Sequence, residues 1–145
     1  IPLATDSERR RNTNPRKIYP ADPGLIGAFD TSGRANTGHA LETVVLNELE
    51  RRGTDIGYVS TAGGFEVDFL ARHRGAGEEL IQVCADPTPP EIREREMRAF
   101  TDAAKEHPRA RKRLLVLDRD AVVRVSVPGV RVQPAYEWLL DGSKV

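Results

Sequence analysis

Three short strand-like runs follow one another between residues 56 and 85, and a helical pattern stands on either side of them. No other feature limits the fold as much. Ile56–Ser60, Phe65–His73 and Glu79–Ala85 read as strands. Thr61-Ala62-Gly63-Gly64 and Gly75-Ala76-Gly77 separate them, and glycine supplies the positive φ that tight hairpin turns need. Ahead of the strands, Gly38–Arg52 carries Leu41, Val44, Val45 and Leu49 on one stripe, with Thr37 as cap and Gly53 as stop. Behind them, a helix runs from Pro90 to Glu106. Its proline lies in the first turn, where a missing N–H costs little, and Ile92, Met97, Phe100, Ala103 and Ala104 face inward. Pro108 ends it. Arg113–Leu117 is then a fourth strand, and the unbroken apolar run Leu114–Leu117 marks it as buried and parallel. The order α-β-β-β-α-β predicts an α/β fold, a mixed central sheet flanked by helices on both faces.

The flanks are less regular. Residues 1–15 read as a polar lead-in or linker, and residues 16–145 as one domain. Arg16–Tyr19 reads as an edge strand, and Asp22-Pro23-Gly24-Leu25 as the start of a short helix ending by Phe29. A loop is expected from Asp30 to Gly38. Ala121–Val127 and Val130–Gln133 read as a terminal hairpin around Pro128-Gly129, and Pro134 opens a last helix with Tyr136, Trp138, Leu139 and Leu140. A chain of 145 residues can bury enough surface to fold without a disulfide or metal staple. It begins with Ile1 rather than Met, which reads as a fragment of a longer protein.

Charge narrows the partners. Lys and Arg number 22, as do Asp and Glu, so bulk charge does not favour a polyanion. Two local clusters do: Arg9, Arg10, Arg11, Arg16 and Lys17, and a second one at Lys105, Arg109, Arg111, Lys112 and Arg113. Either is also compatible with a plain solvated face. The longest apolar run is too short to span a membrane, and one cysteine suits a cytoplasmic protein. One Cys and three scattered His exclude a four-ligand structural zinc site. No phosphate-binding loop or Ser-His-Asp set is readable, so this chain is not expected to hydrolyse ATP.

The chemistry-bearing stretch is Phe65-Glu66-Val67-Asp68-Phe69-Leu70. Strict alternation puts Glu66, Asp68 and Leu70 on one side of the strand, and Phe65, Val67 and Phe69 on the other. A mid-strand acid among apolar residues is costly to bury without a cation or donor. Gln82 stands in a similar setting, sharing a side with Leu80 and Cys84. On the first long helix Glu42 falls within the apolar arc, although Glu48 does too. Glu42, Asp68 and Gln82 together could offer oxygens to one Mg²⁺. Pairing of Asp68 and Glu42 with arginines, Arg72 foremost, is the simpler alternative. Cys84 reads as a small buried hydrophobe, not a nucleophile, because burial raises a thiol's pKa and no His stands near it in the pattern.

This order, with an acid on the first helix, an Asp on the second strand and a polar pair on the third, resembles the PD-(D/E)XK nuclease superfamily with its restriction-endonuclease-like fold. Gly38-His39-Ala40-Leu41-Glu42 followed by Gly64-Phe65-Glu66-Val67-Asp68-Phe69 is similar to the C-terminal domain, of unassigned function, of a family of prokaryotic AAA-type ATPases. Pro15-Arg16-Lys17-Ile18-Tyr19, Asp22-Pro23-Gly24-Leu25, Ile81-Gln82-Val83-Cys84, Arg93-Glu94-Arg95-Glu96 and Trp138-Leu139-Leu140 resemble it as well. The resemblance implies that Glu42 and Asp68 hold a metal. It puts Gln82 where the nuclease has a glutamate and Cys84 where it has the catalytic lysine. Gln82 removes one charge, so Mg²⁺ binding should be weak. Cys84 cannot position water or steady charge as an ammonium does. The chain's four lysines are Lys17, Lys105, Lys112 and Lys144; none is on the third strand, and Lys105 on the following helix is the one candidate for a substitute. The implied function is a catalytically degenerate module of an ATPase that binds DNA, other nucleic acid or a protein partner. A nuclease with a relocated lysine and an architectural or oligomerisation domain are the alternatives. Nucleic-acid contact would fall to Arg9, Arg10, Arg11, Arg16, Lys17 and Arg111.

Overall fold

The computed structural model describes residues 1–29 and 36–141. Its elements are α1 (Glu8–Thr13), α2 (Gly24–Phe29), α3 (Thr37–Arg51), β1 (Asp55–Ser60), β2 (Glu66–His73), β3 (Gly77–Cys84), α4 (Pro90–Glu106), β4 (Arg111–Val116), α5 (Arg119–Arg124), β5 (Arg131–Pro134) and α6 (Ala135–Leu140). The five strands form one mixed sheet in the order β1-β2-β3-β4-β5. β1, β2 and β3 pair antiparallel, and β3, β4 and β5 pair parallel. Among the described residues no helix is long and apolar enough to cross a membrane.

Each face of the sheet has its own core. Leu70, Leu80, Cys84 and Leu114 pack with Phe100 and Ala103 of α4 and with Ala121 of α5. Phe69, Ala71, Ile81, Val83 and Leu115 pack with Val45, Leu46 and Leu49 of α3 and Trp138 of α6. The parallel order explains the first grouping: right-handed crossovers from β3 to β4 to β5 put α4 and α5 on the same side.

Three expectations need correction. The terminal hairpin does not form. Asp118 caps a helix, its carboxylate accepting the Ala121 N–H at 2.9 Å, so Arg119–Arg124 coils and β5 enters parallel to β4. The first 15 residues are not a detached lead-in. Leu3 is 2% exposed and bridges Tyr58 of β1, while Ser7 caps the α1 helix. Arg16–Tyr19 is not an edge strand; Lys17 N–H bonds to the Ile1 carbonyl, and the residues that line the edge of β1 are 2–4. Their closeness explains Gly57, where a Cβ would lie 2.9 Å from that of Ala4. The Asp30–Gly38 loop lies for the most part outside the described residues; α3 starts at Thr37, with Asn36 as cap.

Because Leu3 is buried against β1, Leu3→Ala should lower unfolding stability by about 2–4 kcal/mol. Urea denaturation checks this; an unchanged midpoint would make the segment dispensable.

Candidate functional site

The sheet divides at Asp68. The β2–β3 ladder runs from His73↔Gly77 only as far as Phe69↔Ile81. Beyond that pair, Glu66 and Val67 stay with β1, while Gln82, Val83 and Cys84 stay with β4. The pairing of β1 with β2 also slips, from Gly57↔Leu70 to Val59↔Val67, so β2 carries one extra residue there. This bulge overturns the strict alternation: Val67 packs with Leu70 on the α4 face, and Phe69 packs on the α3 face.

Side chains take over the missing ladder bonds. The Gln82 amide oxygen accepts the Asp68 main-chain N–H at 3.1 Å, and Asp68 Oδ2 accepts the Val83 main-chain N–H at 3.0 Å. Asp68 and Gln82 therefore meet directly between adjacent strands. Asp68 lies within electrostatic reach of Glu42 from α3 and of Glu96 from α4.

Among the described residues, the cation in contact with Asp68 is Lys17. Its ammonium lies 3.3 Å from Asp68 Oδ1 and 2.6 Å from Glu66 Oε1. Arg72, the expected partner, instead pairs with Glu78 and Asp55 at the far end of β2. Lys105 sits exposed on Asp102, 2.6 Å away. Lys17 is thus turned inward, away from the basic group it belongs to in sequence. Arg9, Arg10, Arg11, Arg16 and Arg111 are exposed.

Two residues on, Tyr19 donates its hydroxyl to Glu42 Oε2 at 3.2 Å and stacks on His39, with centroids 5.4 Å apart. In an extended segment residues two apart share a side, so Lys17 and Tyr19 turn inward together while Ile18 is 86% exposed. Glu48 is held by Arg51 and Arg52, which leaves Glu42 as the α3 acid of the cleft.

Burial sets the protonation chemistry. It lifts the Asp68 carboxyl above its ordinary range, and Lys17 and the Val83 N–H counter this only in part. Glu42 is pushed up to about 7, first by burial and then by the Asp68 charge. Burial opposes the charge on Lys17, but Asp68, Glu66 and Glu42 outweigh it and raise its pKa. Burial and then Glu96 push the Cys84 thiol up to about 11, so it is no nucleophile at neutral pH.

The cleft does not fit a divalent cation as it stands. Asp68 Oδ1 faces an ammonium, Asp68 Oδ2 and Gln82 Oε1 face main-chain N–H groups, and Glu42 Oε2 faces a phenol. Among the described residues no three His, Cys, Asp or Glu side chains are grouped to hold a metal. Local pattern places Glu66 on the side of Asp68 but does not bring Lys17, Tyr19 or Glu96 to it. Lys17 and Tyr19 lie in the Pro15–Tyr19 segment, and Glu96, 2% exposed, lies in Arg93–Glu96. No known protein family, no curated protein and no solved structure matches this chain.

Glu42 makes a pH prediction. In the unfolded chain it ionises near its ordinary value, whereas the folded chain keeps the proton until about 7. The native state binds more protons between these values, so this contribution to stability falls as pH rises from about 4.5 to 7 and is flat above. Glu42→Gln should flatten that slope and leave the variant about 1–2 kcal/mol more stable than wild type at pH 8, allowing for solvent screening. Chemical denaturation across pH 4.5–8 checks it; an unchanged slope would contradict the burial argument.

Proposed function

We propose that the chain is a restriction-endonuclease-like domain whose metal-dependent cleavage has lapsed, serving an AAA-type ATPase as a binding module. One observation carries the reading: a lysine of the chain itself is the counter-ion of the buried aspartate that the resemblance assigns to metal. A salt-bridged ammonium satisfies Asp68 without coordination chemistry. Gln82, neutral and turned to the Asp68 N–H, adds no charge to draw in a dication. Cys84 lies in an apolar cluster, with its thiol protonated at neutral pH. The parting of β2 and β3, with an α3 acid and a β2 acid at the gap, supports the fold assignment.

The same lysine favours one other reading, an active nuclease with Lys17 as the relocated ammonium. Cleavage assays separate the two. Supercoiled plasmid and labelled RNA are incubated with Mg²⁺ or Mn²⁺ and with wild type, Lys17→Met or Asp68→Asn. The lapsed-nuclease reading predicts no metal-dependent cutting by any of them. Cutting by wild type that both substitutions abolish would establish the active reading. Restoring the nuclease pattern with Gln82→Glu plus Cys84→Lys should return some cleavage, the new ammonium having Glu96 within electrostatic reach. Loss of a preorganised charge of this kind corresponds to about 10²–10³ in rate.

A further inference from the structure

The topology gathers cations at the end of the sheet away from the cleft. β2 runs against β3, and β4 and β5 run with β3. The end of β2 and the starts of β3 and β4 therefore lie toward one end, while β5 begins further along, its Arg131 level with Arg113 and Ile81. Asp68 and Gln82 lie toward the other end, about 20 Å from Arg74 at about 3.3 Å per residue along β2. At the cationic end stand Arg74 in the β2–β3 turn and Arg109 and Arg111 around the start of β4; all are exposed. Arg10 of α1 joins them, lining a cavity with Thr5, Arg72, Glu106 and His107. Arg10 and the pair Arg109 and Arg111, nearly 100 residues apart in sequence, thus lie toward the same end of the sheet.

The carboxylates of this end are mostly engaged. Asp55 pairs with Arg72, Glu78 with Arg72 and His107, and Glu79 with Arg113. Asp6 and Glu106 remain beside the cavity. Arg10, Arg74, Arg109 and Arg111 make no ion pair among the described residues. A net charge of zero conceals this separation.

We infer that this end is a docking surface for the phosphate backbone of a nucleic-acid duplex. Exposed guanidiniums spread over α1, a hairpin turn and the start of β4 suit a ligand with many phosphates better than one small anion. Among the described residues the exposed aromatic is Tyr136, which follows the far end of β5, so stacking on splayed single-stranded bases finds no platform among them at this end. Recognition would be of backbone rather than of sequence. The inference stands on charge placement and does not rest on whether the cleft cleaves.

Fluorescence anisotropy of the 145-residue chain tests it, using 20-base-pair DNA and RNA duplexes, single-stranded DNA and anionic lipid vesicles between 50 and 200 mM salt. Binding to either duplex, weakening steeply with salt, is expected. Arg109→Ala plus Arg111→Ala should reduce the slope of log K against log salt by about two and weaken binding more than tenfold at 50 mM salt. Arg124→Ala at the opposite end should leave affinity within about twofold. Thermal unfolding of each variant shows whether a loss reflects the surface or the fold, and the charge reversals Arg109→Glu and Arg74→Glu provide a second pair of variants. No duplex binding at 50 mM salt, equal loss with Arg124→Ala, or preference for single strands or vesicles would each overturn the inference.

Discussion

The ion pair between Lys17 and Asp68 holds the molecule together at the point where its sheet comes apart. A β2–β3 ladder continued past Phe69 and Ile81 would satisfy its own main-chain groups. The strands part instead, and two buried side chains bond to the freed N–H groups of Asp68 and Val83. One of those side chains is a carboxylate, and an isolated buried carboxylate is costly. Lys17 offsets that cost from 51 residues away in the chain. The pairing of residues 2–4 with β1 and of Lys17 N–H with Ile1 then serves a purpose: it fixes the segment that delivers the ammonium.

Much of this was legible in the sequence where local pattern and tertiary packing agree. The helix from Pro90 to Glu106 has the bounds its proline and its periodicity imply. The glycine turns fall where positive φ is needed, at Gly64, Gly75 and Gly77. Asp68 stood out because an acid in an apolar strand demands a partner. The identity of the partner was not legible, since no local rule connects residue 17 with residue 68. Arg72 was the near choice on the same strand, but distance along β2 takes it to Glu78 and Asp55.

The other misreadings have physical causes too. The valines of 122–127 suggest a strand by propensity, yet the Asp118 cap and the crossover demanded by a parallel β5 favour a helix. Strict alternation along β2 fails because a bulge inserts one residue at the division of the sheet. Net charge was uninformative for a related reason: composition counts charges, whereas strand direction decides at which end they collect.

The most direct test of the account is a crystal structure of this chain grown with millimolar MnCl₂, with anomalous scattering recorded for manganese. The account predicts no manganese between Glu42, Asp68 and Gln82, and the Lys17 ammonium in ion-pair contact with Asp68. A manganese peak bonded to Asp68, with Lys17 displaced from the cleft, would contradict it.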